Sequence, residues 1–328
     1  MSINNALRGM MMGLAVGDAL GASVEFMEKD SFPPVTGYRD GGPHNLKAGY
    51  WTDDTSMALC TAVSLIQKNK TDLAHQMQQY LRWYEKGYMS STGTCFDIGN
   101  QTRRAIMLFK VGTPFSEACL QLQQTTSNAG NGALMRLAPI VIKFHDNTRA
   151  ALEAAGLNAQ LTHPDIRCVH ANKVFTLLML KAMQVKKKEQ LIDLAEIKRR
   201  IKLLNREVSE VLTFDYLNAD RKMIPNSGYV ISSMKAALWA FFNSSDFKEG
   251  ALLAVNLGGD SDTIGAIYGQ LAGAFYGYNR IPREWIEQLH DYNTVNGYTD
   301  LLIEGITEND IDQLASSRCI ALPSIQTR

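Results

Sequence analysis

The sequence has no cysteine pair at metal-knuckle spacing, no proline- or glycine-rich linker, no excess charge of either sign and no apolar run of membrane-spanning length. Each absence excludes something. Five cysteines, Cys60, Cys95, Cys119, Cys168 and Cys319, stand far apart, giving neither a zinc knuckle nor an even disulfide framework, so a reducing, cytoplasmic setting is expected. Lys plus Arg equals Asp plus Glu at 33 each, which leaves no bulk electrostatic case for nucleic acid or an anionic membrane. The most apolar stretch, 265–276, falls short of the roughly 18–20 residues a membrane helix needs. Arg8 ahead of the apolar stretch 9–17 resembles a secretory leader only loosely, because Asp18 and Glu25 lie where a cleavage region is small and uncharged. With 45% hydrophobic residues and no linker, residues 1–328 read as one domain.

What is present is helical in period. Apolar residues recur at three and four spacing over 56–67, 73–83, 99–110, 115–123, 167–183 and 228–242, and no alternating strand series appears. The same spacing from Leu194 to Val211, with Lys and Arg between, predicts one solvated amphipathic helix. The fold class expected is all-α. Two glycine ladders, Gly9, Gly13, Gly17, Gly21 and Gly265, Gly269, Gly273, Gly277, step by four. Glycine costs about 1 kcal/mol relative to alanine inside a helix, so four in register predict two central helices in very close backbone approach.

The chemistry concentrates in two acidic segments about 200 residues apart, Thr52-Asp53-Asp54-Thr55 and Asp260-Ser261-Asp262-Thr263, each at an expected loop-to-helix junction. Four carboxylates flanked by hydroxyls, without His or Cys, form an all-oxygen ligand set suited to Mg²⁺ or Mn²⁺. Clustered, they would repel one another, and two divalent cations would neutralise four Asp charges. Asp53 and Asp262 could instead be helix caps, a common role for Asp. Asp18, Glu25 and Asp97 are further carboxylates that could act as base, supporting partner or cap. The small-residue segment 127–136, containing Ser127, Asn128, Gly130, Asn131 and Gly132, offers backbone N–H groups for a phosphate and lacks the Lys-Ser/Thr ending of a nucleotide P-loop. His163, in Thr162-His163-Pro164-Asp165, could bond a phosphate, act as an acid, or simply hold a turn.

Six segments occur in an order that resembles the motif series of the ADP-ribosylglycohydrolase family, the group that includes dinitrogenase reductase-activating glycohydrolase and the ADP-ribosylarginine hydrolases. They are GLAVGDALG (13–21), WTDDTSM (51–57), GNGALMRLAP (130–139), THPD (162–165), SGYV (227–230) and NLGGDSDTIG (256–265). The resemblance implies an all-α fold with a two-metal Mg²⁺ or Mn²⁺ centre at the base of an ADP-ribose cleft. It implies metal ligands at Thr52, Asp53, Asp54, Asp260, Asp262 and Thr263, and catalytic carboxylates at Glu25 and Asp97. It further implies ADP-ribose contacts at the 127–132 loop, His163 and Tyr229. An ADP-ribosylated protein is the implied partner, with arginine the favoured linkage; serine-linked, polymeric and O-acetyl ADP-ribose, or a non-catalytic binding role, are the alternatives.

Overall fold

The structure is a computed structural model that describes residues 1–125 and 129–305. Ser127, Asn128 and Cys319 therefore lie outside the described residues. Among the described residues fifteen α-helices follow in chain order: α1 (Ile3–Gly21), α2 (Asp53–Lys68), α3 (Leu73–Lys86), α4 (Asn100–Lys110), α5 (Phe115–Thr125), α6 (Ala138–Lys143), α7 (Thr148–Thr162), α8 (Ile166–Ala182), α9 (Leu194–Arg200), α10 (Arg206–Val211), α11 (Val230–Phe242), α12 (Phe247–Val255), α13 (Ser261–Tyr276), α14 (Arg283–Gln288) and α15 (Tyr292–Glu304). Two isolated bridges, Gly41 with Leu46 and Gly130 with Tyr229, are the only β pairing among these residues. The all-α expectation is met.

The centre is the antiparallel pair α1 and α13, which meet through their glycine faces. A Cβ added to Gly13 would overlap the carbonyl of Gly269, and one on Gly17 or Gly9 would overlap that of Gly265 or Gly273. Only hydrogen-bearing Cα atoms fit there, which is why both helices accept the propensity cost of glycine. Gly277 departs from the expected ladder: it sits just past the end of α13 at φ +84°, against Asn5. Both helices bury nearly their whole circumference, so neither shows a strong amphipathic pattern. Around them α2, α6, α8, α11 and α12 close one continuous apolar core that includes Trp51, Trp83, Phe175, Phe241 and Phe247.

The single amphipathic helix expected up to Val211 is instead α9 and α10, separated by a break at which Leu203 adopts φ +54° and is 96% exposed. Each of the two helices has its own capping residue. Asp193 accepts a hydrogen bond from the Glu196 N–H and Asn205 from the Val208 N–H, so each starts a short helix of its own. Ile197, Ile201, Val208 and Val211 are still buried, so the apolar face is real while the continuity is not. Cys60, Cys95, Cys119 and Cys168 are free thiols. No described helix is long and apolar enough to cross a membrane.

Candidate functional site

The glycine contact runs α1 and α13 antiparallel, so the C-terminal end of α1 lies beside the N-terminus of α13. Asp18, in the last turn of α1, is fully buried and reaches the start of α2. Its carboxylate accepts from the Thr52 N–H at 2.9 Å and the Thr55 N–H at 3.0 Å, and from the hydroxyls of Thr52 at 3.0 Å and Thr55 at 2.6 Å. Asp18 thus caps α2 from another helix, and Thr52, although at the N-cap position, makes no capping bond of its own. The Thr52 hydroxyl stands instead 3.2 Å from Asp54 Oδ2 and 3.0 Å from Asp262 Oδ2. The Thr263 hydroxyl donates to Asp54 Oδ2 at 3.3 Å.

The two acidic segments therefore converge. Asp53 and Asp54 occupy the first turn of α2 and Asp262 the first turn of α13, and neither Thr52 nor Asp260, the residues at the N-cap positions, caps its helix with its side chain. Capping does not account for these aspartates. Ahead of α13, Gly258 and Gly259 both adopt positive φ, and Gly259 exchanges backbone hydrogen bonds with Phe26 and Met27, which brings Glu25 to the cluster. Asn131 is held by its N–H to the carbonyl of Gly228 and donates its amide to Asp260 Oδ2 at 2.7 Å and to Ser233 at 2.8 Å. Its side chain thus serves the acidic cluster.

Burial dominates the electrostatics. It pushes the carboxyls of Asp53, Asp54 and Asp262 well above their ordinary range, aided by one another's charge and that of Asp97, and also raises Asp260. Glu25 is pushed up to about 10 by burial first and then by Asp97, Asp260 and Asp54. Asp18 rises to about 6 through burial, against the four hydrogen bonds that favour its charge. Among the described residues no Lys or Arg pairs with Asp53, Asp54, Asp260 or Asp262. Asp54 Oδ1, Asp262 Oδ1 and Glu25 Oε2 are buried without a hydrogen-bond partner among the described residues. Orphaned carboxylate oxygens in a hard-donor cluster are what a divalent cation would satisfy, and the residues fit one. Two donor sets have ligand atoms within 4.8 Å of one another: Glu25, Asp260 and Asp262, and Asp53, Asp97 and Asp262.

A third such set, Glu25, His44 and Asp97, contains a residue that sequence patterns did not single out. His44 Nε2 stands 3.0 Å from Asp97 Oδ1 and 3.5 Å from Glu25 Oε2, with its ring tilted against Phe96. It belongs to a Gly-Gly-Pro-His turn without periodicity, and only the fold carries it to the carboxylates. Asp97 itself adopts φ +57°, a left-handed conformation that Asp tolerates better than most residues.

The cluster forms the floor of a cleft of about 540 Å³, within the range of small-molecule sites. Glu25, His44, Asp53, Asp97, Asp260, Asp262 and Thr263 line it together with Gly130, Asn131, Gly132 and His163. Tyr229 stands apart from the lining. Its backbone bridges to Gly130, while its hydroxyl donates to Glu207 and accepts from Arg167 at 3.2 Å.

An all-helical fold with a carboxylate cluster at the foot of a cleft is what the resemblance to the ADP-ribosylglycohydrolases implied, and a profile of that family matches residues 1–313. The chain belongs to this family. It is 36% identical to ADP-ribosylarginine hydrolase Tri1 of Pseudomonas putida (strain GB-1) over 86% of this chain and 73% of that protein. It is 33% identical to the Tri1 hydrolase of Serratia proteamaculans (strain 568), over 92% and 80%. It is also 32% identical to the ADP-ribosyl-[dinitrogen reductase] glycohydrolase of Rhodospirillum rubrum, over 88% and 91%. A solved ADP-ribosylglycohydrolase-related protein complex superposes with a TM-score of 0.79 at 38% identity, covering 92% of this chain and 98% of that one.

Proposed function

We propose that this protein is a divalent-cation-dependent hydrolase that releases ADP-ribose from modified protein side chains, with the N-glycosidic bond to arginine as its linkage. The observation that carries the reading is the convergence of two distant acidic segments into one buried cluster with unpartnered oxygens. The arginine linkage is supported by the Tri1 relatives, which are ADP-ribosylarginine hydrolases by name. In this reading Asp53, Asp54, Asp260, Asp262, Thr52 and Thr263 hold two ions, Mg²⁺ or Mn²⁺, and the whole chain serves as one domain. When bound, such ions supply a hold on the ribose hydroxyls and Lewis-acid polarisation of a water.

The remaining chemistry belongs to side chains. Cleavage passes through an oxocarbenium-like state at the ribose carbon, as in other glycoside hydrolyses. Water adds its oxygen to that carbon as the bond to the guanidine nitrogen breaks. Glu25 and Asp97, close together on the cleft wall, take the proton from water and return one to the departing nitrogen. Gly130, Gly132 and His163, which line the same cleft, hold the diphosphate, and Asn131 keeps Asp260 oriented.

The test is release of free ADP-ribose from an ADP-ribosylarginine peptide with Mg²⁺ or Mn²⁺ and with EDTA. Release is expected only with metal, and Asp54→Asn or Asp262→Asn should lower it about 10²–10³-fold or more while leaving the helical fold intact. Full activity in EDTA or in either variant would refute the proposal. Turnover of a serine-linked, polymeric or O-acetyl substrate instead would move the linkage, and tight ADP-ribose binding without any turnover would mark a binding protein.

A further inference from the structure

We propose that Arg136 and Thr162 act as positioning residues that fix the tautomer of His163, so that its ring presents an Nε2–H donor to an acceptor oxygen of the ligand. The inference builds on the cleft being the ADP-ribose site.

Arg136 follows the glycine loop and is fully buried, yet no carboxylate pairs with it among the described residues. Its donors are spent locally. Nε donates to Asn158 Oδ1 at 3.3 Å, Nη1 to the Gly132 carbonyl at 3.0 Å, and Nη2 to the Asn158 carbonyl at 3.2 Å and Thr162 Oγ1 at 2.7 Å. The Tyr80 ring lies 4.8 Å from the guanidinium carbon. A guanidinium offers no acceptor, so Thr162 Oγ1 must accept from it.

The direction of the next bond follows. Thr162 Oγ1 has one hydrogen, and its other partner is His163 Nδ1 at 2.8 Å. If Nδ1 carried the ring hydrogen, the Thr162 hydroxyl would receive two donors and its own O–H would be left without an acceptor in a fully buried position. With the hydroxyl donating to Nδ1, Arg136 Nη2, Thr162 Oγ1 and His163 Nδ1 are all satisfied. Nδ1 is then the acceptor and Nε2 bears the hydrogen.

That nitrogen faces the ligand wall. A Cβ built on Gly130 would come within 3.1 Å of Nε2 and one on Gly132 within 2.8 Å of Cε1, so the ring edge lies over the glycine loop where His163 lines the cleft. Among the described residues Nε2 has no hydrogen-bond partner. Burial and the Arg136 charge hold the ring pKa down at about 3, so the imidazole is neutral at working pH. A neutral N–H donor selects an acceptor such as a diphosphate oxygen and rejects an amino group, and it excludes His163 as the proton-donating acid of the reaction.

The experiment is long-range ¹H–¹⁵N correlation on the ligand-free, ¹⁵N-histidine-labelled full chain, with His163 assigned by His163→Gln. The expected result is an acceptor-type Nδ1 and a protonated Nε2, unchanged between pH 5.5 and 8. Thr162→Val should give mixed tautomers and weaken ADP-ribose binding about tenfold by calorimetry, and Thr162→Ser should restore both. A protonated Nδ1 in the wild type, or a tautomer unchanged in Thr162→Val, overturns the proposal. Should Thr162→Val fail to fold, the wild-type spectrum and the serine variant still decide. Because the tautomer is read without ligand, absence of ADP-ribose binding by a chain with the expected tautomer would count against the functional reading alone.

Discussion

Asp18 accepts four hydrogen bonds and still has its carboxyl pushed up to about 6, because burial outweighs them. The same conflict, without comparable donors, pushes Glu25 up to about 10. In the unfolded chain these groups return to about 4. Between the unfolded and folded values the folded state binds more protons, so metal-free stability is fully present below about pH 4 and is lost as pH rises through the folded values. The melting temperature in EDTA should therefore fall from pH 5 to pH 8, and the fall should shrink with saturating Mg²⁺ or Mn²⁺, since a cation replaces the protons. A melting temperature in EDTA that rises over that range would contradict this account. The aspartates of the cluster were legible in the sequence because doubled acidic motifs are local. Which of its possible roles Asp18 plays, and the presence of His44, were not, because each depends on a partner more than 30 residues away whose position only tertiary packing sets.

Helices α1 and α13 meet where their backbones leave no volume for a side chain. Gly13→Ala or Gly269→Ala must push the helices apart or bend them, and a loss of about 2–3 kcal/mol or more is expected in denaturant unfolding. Gly297, inside α15, has nothing within 4 Å of an added Cβ, and Gly297→Ala should stabilise by roughly 0.5–1 kcal/mol. Equal effects at both places would show that helix propensity, and not close approach, governs these glycines. The stripes were readable because a four-residue step survives any tertiary context. The α9–α10 break was missed because a hydrophobic period says nothing of continuity, which Asn205 interrupts by capping a new helix through its side-chain oxygen. Helix α7 went unpredicted because its buried side is built largely of alanine, which leaves little contrast between its faces.

Across the whole molecule, the cluster joins residues near 53 to residues near 262 and takes its form only in the folded chain. Cations held there bind the native state alone, so their concentration should shift the unfolding equilibrium by mass action, about 2.7 kcal/mol at a hundredfold excess over Kd. A thermal melt titrated with Mn²⁺ should move upward with the logarithm of its concentration, and a melt that ignores the ion would speak against a native metal centre. The α1–α13 contact has a further consequence, for synthesis. Its first partner lies within the opening 21 residues and its second begins at Ser261, so the contact closes a loop of some 240 residues. Until the ribosome has released α13, the nascent chain carries an apolar helix whose glycine face has no partner and half of the candidate ligands. Helix α1 must wait while the intervening segment is synthesised, and any chaperone that shields this chain is expected to hold α1 until α13 emerges.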